Sequence, residues 1–392
     1  MEFLKNTKQK KQFICSYITF VLNGMLALSI GSLLPFIRDA KGLEYAFCGM
    51  IVSLHSVGNL LSSFFAGTLA VTLGRKKSIL FFNVFFAISY LLIIFSDSNL
   101  LLALAFLLTG LARGATSNFC NSVVNSLAPG KAWIINGLHG MFSIGAFTFP
   151  ILLTVLTANH AENWVLAAYF MLAMGVLSWI LYFLMPVDEV AKEQKKQEGN
   201  HTFAFFQEPI FWLCTLTLFF YLCAEQGVIG WMVTYFKDTG LLSASLSQIT
   251  ASVLWVMILA GRLTTAYLST KINKADLLRV MGIGLVLFFI VLISSKSTGM
   301  IVFGIMGFGY SMAGIYPTTI SYAGQIIQKY PIGWSVMLTA AGIGSISMPS
   351  IIGKVAEGFG IFYGMSSIVA AVVIDMVFIM ALTTYVKRKG LQ

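Results

Sequence analysis

The segment from Asn163 to Met185, NWVLAAYFMLAMGVLSWILYFLM, holds no charged side chain in twenty-three consecutive positions. A helix needs about 20 apolar residues to cross the hydrocarbon core of a bilayer. This segment is long enough to cross as one helix, with its backbone polar groups bonded internally. Strands of a membrane barrel would alternate apolar and polar residues in runs of about ten instead. Outward from it, eleven further segments read the same way: 12–37, 45–72, 78–96, 99–127, 132–157, 210–236, 243–270, 275–295, 299–327, 331–355 and 359–386. The pattern predicts an all-α membrane protein with twelve transmembrane helices.

Composition agrees. Of the 392 residues, 58% are apolar and 10% charged, against about 25% charged in soluble domains. That is too little charge to cover a soluble surface, so an ordinary soluble enzyme and a disordered chain are both excluded. The net charge of +10 would suggest nucleic acid in a soluble protein. Here the basic residues sit in short segments between apolar runs, so no nucleic-acid partner is expected. With an even number of crossings, 18 Lys and Arg fall on the side of the termini and 5 on the other, which places both termini in the cytoplasm. The basic stretch Met1–Lys11 precedes an apolar run too long for a signal peptide, so that run reads as the first permanent span.

The one substantial polar interruption is Pro186–Asn200. It reads as a cytoplasmic linker, with Thr202–Glu208 at the interface. The expected organisation is an N-terminal six-helix half (1–185), a linker (186–209) and a C-terminal six-helix half (210–392). A shift of 199 residues carries Gly31 onto Gly230, Gly110 onto Gly309, Gly145 onto Gly344 and Pro150 onto Pro349. A Gly–Pro pair in register, with two further glycines, points to two pseudo-symmetric halves.

Charges inside a span are costly and mark function. Four lie more than two turns from the ends of these segments: Arg113, Glu225, Arg262 and Asp375. Arg113 and Glu225 lie near the middle of spans four and seven. The expectation is that they line a substrate cavity or touch each other. Arg262, the nearest of them to a span end, and Asp375 are expected to gate or to stabilise. In span five, Asn136 and His139 are three apart and share a helical face; His55 and Asn59 form a weaker version in span two. Span four adds Asn118 and Asn121, with Ser117 on the Arg113 side. Asn23, Gln226, Trp231, Tyr235, Tyr310 and Tyr316 complete a set of amides and aromatics that suits a hydroxyl-bearing solute. The five cysteines, Cys15, Cys48, Cys120, Cys214 and Cys223, all lie in apolar runs and read as small buried hydrophobes, with no metal site. No phosphate-binding loop is present.

These features resemble the major facilitator superfamily, and more narrowly its fucose permease-like branch of sugar:proton symporters. The likeness is carried by Gly67-x6-Gly74-Arg75-Lys76-Lys77, Gly31-Ser-Leu-Leu-Pro35, Asn136-x-x-His139-x5-Gly145-Ala146, Tyr221-x-x-Ala224-Glu225 with Trp231 and Tyr235, Gly261-Arg262, and Gly314-Ile-Tyr316-Pro317-Thr318. It implies the major facilitator fold, alternating access, a sugar-like cargo and a gating role for Gly74 and Arg75. The branch's acids in spans one and four are missing: Gly31 stands in span one, and Ala115–Asn121 holds no carboxylate. Glu225, with His139, is then the remaining proton group.

The reading that follows is a monomeric, multi-pass secondary transporter of the plasma (cell inner) membrane. It is not an enzyme, has no cofactor, and uses a proton, or sodium, as coupling ion for uptake of a small polar, sugar-like solute. The alternatives are an exporter or uniporter of organic anions or drugs, and a non-transporting membrane sensor.

Overall fold

In a computed structural model of the chain, which describes residues 6–128, 132–187 and 203–390, the protein is all-helical. Twelve of the described helical segments are long and apolar enough to cross a membrane. The first six spans are α1 (Thr7–Lys41), α2 (Tyr45–Thr72), α3 (Arg75–Phe95), α4 (Asn99–Leu127), α5 (Ala132–Thr157) and α6 (Trp164–Leu184). The next three are α7 (Pro209–Asp238), α8 (Ala244–Leu268) and α9 (Lys274–Ser294). The tenth is built from α10 (Thr298–Met312) and α11 (Ile315–Lys329), broken at Ala313–Gly314. Then come α12 (Pro331–Phe359) and a twelfth span made of α13 (Ile361–Ser366) and α14 (Ile368–Lys389).

Local chemistry sets the ends. Asn6 caps α1 by accepting from the Gln9 amide at 2.9 Å, and Gly42, at φ +61°, closes it in the left-handed region that favours glycine. Gly74 (φ +91°) turns the chain between α2 and α3. Pro317 stands one turn after Ala313 and cannot donate to its carbonyl, which fits the break between α10 and α11.

The chain divides into two compact units. The first holds α1, α2 from Met50 onward, and α3 to α6. The second holds α7 to α14 together with Glu44–Gly49, the first turn of α2 and the residue before it. That short piece docks on the second unit: the Tyr45 amide donates to Glu357 Oε2 and the Tyr45 hydroxyl to Asp238 Oδ2, both at 2.8 Å. The body of the expected linker, residues 188–202, lies outside the described residues. After it, Phe203–Gln207 forms a short 3-10 turn whose Phe205 is buried against Phe211 and Tyr330.

Within each unit the helices approach at glycines. A Cβ on Gly145 of α5 would stand 1.9 Å from the Val21 carbonyl oxygen of α1, and one on Gly344 of α12 2.3 Å from the Phe219 oxygen of α7. Small residues at such crossings let backbones touch where lipid supplies no hydrophobic drive for packing. The core of the first unit includes Phe20, Phe82, Phe119, Val124 and Tyr182. Its outer surface keeps large apolar residues exposed, among them Phe95, Leu100 and Leu184, as a lipid-facing surface requires.

Candidate functional site

In the first unit the site is built on the crossing of α2 and α4. A Cβ on Gly110 would lie 2.0 Å from the His55 carbonyl oxygen, and one on Gly58 2.2 Å from the Leu107 oxygen. Two backbones this close bring the His55 side chain against the next turns of α4. Its Nδ1 is 2.8 Å from Thr109 Oγ1. The Thr109 hydroxyl spends its own proton on the Phe106 carbonyl at 2.6 Å, so Nδ1–H donates and Nε2 keeps its lone pair. Nε2 then accepts from Arg113 Nη1 at 3.3 Å. The relay holds His55 as the neutral Nδ1–H tautomer. The Arg113 guanidinium also stands 6.0 Å from the centre of the Phe142 ring of α5, a cation–π distance. Arg113 itself is half-buried.

One turn further along α4, Ser117 accepts from Asn23 Nδ2 of α1 at 2.9 Å, and its backbone oxygen accepts from Asn121 Nδ2 at 2.8 Å. Asn23 is 2% exposed, and its Oδ1 has no hydrogen-bond partner among the described residues. Asn118 is exposed and Asn59 half-buried. Asn136 and His139 are exposed on α5. At about 100° per residue, His139 lies roughly 140° around α5 from the stripe of Ile144, Ile151 and Val155, which are the large apolar side chains this helix exposes. His139 also meets Phe20 edge-on, with ring centres 5.6 Å apart.

In the second unit, Glu225 sits near the middle of α7. Its Oε1 accepts from the Tyr221 hydroxyl at 3.0 Å and its Oε2 from Gln226 Nε2 at 3.4 Å. Tyr316, placed just after the break between α10 and α11, has its ring 6.0 Å from that of Tyr221. Arg262 of α8 is half-buried and within electrostatic reach of Tyr221.

Other expected residues are placed differently. Trp231 is fully buried and donates its indole N–H to the Pro349 carbonyl at 3.1 Å. Tyr235 is fully buried and donates to the Ile293 carbonyl at 3.4 Å. Both polar tips are consumed by backbone. Tyr310 is exposed on the same stripe of α10 as Met300, Phe303 and Met306, an apolar, lipid-facing pattern. Asp375 is fully buried in α14, and neither carboxyl oxygen has a hydrogen-bond partner among the described residues. Arg75 donates to the Ser122 hydroxyl. All five cysteines are free thiols.

Three residues of these clusters were not among the expected contacts: Thr109, Phe142 and Tyr221. The signal for two of them was spacing. Thr109 lies four residues before Arg113 and Tyr221 four before Glu225, one helical turn on the same face.

The fold and these intramembrane polar clusters define a solute transporter. The Major Facilitator Superfamily profile matches residues 16–349, and the chain belongs to that superfamily, whose members are secondary transporters. The chain is similar to the glucose/mannose transporter GlcP of Bacillus subtilis, at 24% identity over 362 residues, covering 87% of each chain. Its fold matches that of the nucleoside transporter NupG (D323A mutant), with a TM-score of 0.81 at 15% identity over 96% of this chain and 100% of the other. It also matches a bacterial homologue of the human lysosomal transporter Spinster, with a TM-score of 0.79 at 14% identity over 97% and 98%.

Proposed function

We propose that the chain takes up a small, sugar-like solute by alternating access in the plasma membrane, with both termini in the cytoplasm and a proton as the coupling ion. The observation that carries this reading is the exposed polar surface of α4 and α5. Asn118, Asn136 and His139 are exposed within spans, and an amide or imidazole facing lipid would lose its hydrogen bonds to water. Such side chains belong to a wet face, where they offer donors and acceptors to hydroxyl groups. Asn23, His55, Asn59, Arg113 and Asn121 extend this set in the first unit; Glu225, Gln226 and Tyr316 form one in the second. Trp231, Tyr235 and Tyr310 are left out, because their polar groups are bonded to backbone or their rings face lipid. Likeness to GlcP, a glucose/mannose transporter, supports a sugar-like cargo and the fucose permease-like branch.

Glu225 is the proposed proton carrier, with His139 as a second proton group. The test uses purified protein in proteoliposomes, with a panel of neutral sugars and sugar acids and an imposed pH gradient. Glu225→Gln should abolish gradient-driven accumulation and keep counterflow exchange. Unchanged accumulation overturns the role of Glu225; failure of the wild type to move any member of the panel overturns the sugar reading.

A further inference from the structure

We infer that Arg262 of α8 binds a carboxylate of the solute beside the Glu225 cluster, so that the cargo is a sugar acid rather than a neutral sugar. The inference rests on the sugar-like cargo proposed above and names its charge.

Three observations converge. The first is where Arg262 points. It stands six residues before the end of α8, and an arginine that only reached for the interface would run along the lipid face. On that face α8 exposes Val256, Leu263 and Tyr267. At 100° per residue, Arg262 is turned roughly 120° from their stripe. It is half-buried and within electrostatic reach of Tyr221, which is buried on α7. The second observation is what Arg262 lacks. It makes no hydrogen bond and no ion pair among the described residues. Glu225, the acid of the same cluster, takes its donors from α7 itself, Tyr221 at 3.0 Å and Gln226 at 3.4 Å. A charge taken part-way out of water without a partner is costly. A guanidinium offers five N–H donors in a planar fork that matches a carboxylate. Glu225 can accept from more than two donors, and the Tyr316 ring stands 6.0 Å from that of Tyr221. An open guanidinium, a carboxyl with acceptor capacity to spare and an aromatic ring suit a solute with one carboxylate and several hydroxyls. A proton on Glu225 also removes the negative charge beside that carboxylate, so proton and anion strengthen each other's binding.

The third observation comes from the repeat. The shift of 199 residues that carries Gly110 onto Gly309 also carries His55 onto Leu254, and a Cβ on Gly309 would stand 2.9 Å from the Leu254 carbonyl oxygen. The α2–α4 crossing therefore recurs as α8–α10 in the same register. On that register the counterpart of Arg262 is Ser63. Gly145 likewise meets the Val21 oxygen of α1, as Gly344 meets the Phe219 oxygen of α7. Six residues beyond those carbonyls stand Ala27, which is buried, and Glu225. Both crossings form in the first unit without a charge at either place. Glu225 and Arg262 are therefore present for something other than the fold.

The experiment is a thermal-shift titration of the purified full chain with D-glucuronate, D-glucuronamide and D-glucose, each separately; a ligand that binds the folded form raises the melting temperature with concentration. Glucuronamide keeps the shape of the acid and lacks its charge. Glucuronate should bind at least about tenfold more tightly than either neutral sugar, the scale of one charge-assisted hydrogen bond. Arg262→Gln should erase the preference. If Arg262→Gln does not fold, Arg262→Lys, which keeps the charge and loses the fork, decides: weaker glucuronate binding supports the inference, and unchanged affinity overturns it. Glucuronate bound no more tightly than glucuronamide by the wild type, or a preference that survives Arg262→Gln, overturns the anionic assignment while the sugar reading stands. Binding of none of the three removes the sugar reading, and the inference with it.

Discussion

The α2–α4 crossing of the first unit and the α8–α10 crossing of the second share a glycine at the same register and almost nothing else. Gly110 meets the His55 backbone, and Gly309 meets the Leu254 backbone. Around the first glycine stand His55, Thr109 and Arg113; around the second stand Leu254, Phe308 and Met312. The backbone geometry depends on the missing side chain, because a Cβ there would collide with the facing carbonyl. The flanking residues are then free to be apolar, as around Gly309, or polar, as around Gly110. The second unit carries its own polar group elsewhere, at Glu225 on α7, with Tyr221 and Gln226 as donors. Each unit thus builds its polar cluster on a different helix of the repeat, the first around Arg113 of α4 and the second around Glu225 of α7.

The hardest way to break the comparison is to add the methyl groups. Gly110→Ala would place a carbon 2.0 Å from a backbone oxygen, whereas Gly309→Ala would place it 2.9 Å from one. Backbone cannot rotate away, so α2 and α4 must separate. Overpacking of this kind costs about 1–3 kcal/mol, and Gly110→Ala should reach or exceed the top of that range. Gly309→Ala also meets backbone and forces a shift, but a smaller one, and the gain in helix propensity of up to about 1 kcal/mol offsets part of it. Melting curves in detergent should rank Gly110→Ala well below Gly309→Ala; equal losses would mean that the two crossings are not equivalents.

A gentler test installs the second unit's residues in the first. His55→Leu with Arg113→Met replaces both partners of one hydrogen bond by apolar groups of similar volume, a paired change that can be nearly neutral for stability. Thr109 is kept, because Phe would overfill its site. The double variant should fold with a near-native melting temperature and bind the transported solute about tenfold or more weakly, the scale of a lost charged hydrogen bond. A variant that no longer folds would show the relay to be structural.

The twelve spans were legible because hydropathy sums over about twenty residues and tolerates errors at the ends. The break in the tenth was not read as one, although Gly314 and Pro317 stand there; a proline in a span also serves as a mild kink, and only the facing helix decides. Arg113 and Glu225 were legible because a charge in lipid is expensive. The partnership of Arg113 with His55 was not, since it depends on which helices cross and at what height. The sequence held the clue in the matched glycines, yet a register shift does not say which carbonyl each glycine touches. Trp231 and Tyr235 show the opposite limit. In a chain with 14% aromatic residues, a ring that packs and a ring that lines a site look alike. Tyr310 could have been assigned by its spacing from Phe303 and Met306 alone.

The smallest expected effect concerns the other duplicated pair, Pro150 and Pro349. In the first unit the Pro150 carbonyl accepts from the Thr154 hydroxyl at 2.9 Å, one turn along its own helix. The same shift of 199 residues puts Gly353 where Thr154 stands, and the Pro349 carbonyl takes its side-chain donor from Trp231 of α7 instead. The indole N–H ties α7 to α12. Trp231→Phe keeps most of the ring and removes one buried donor, so it should destabilise by about 1 kcal/mol with solute affinity unchanged. An unchanged melting temperature with weakened sugar binding would return Trp231 to the substrate-binding set and undo this half of the comparison.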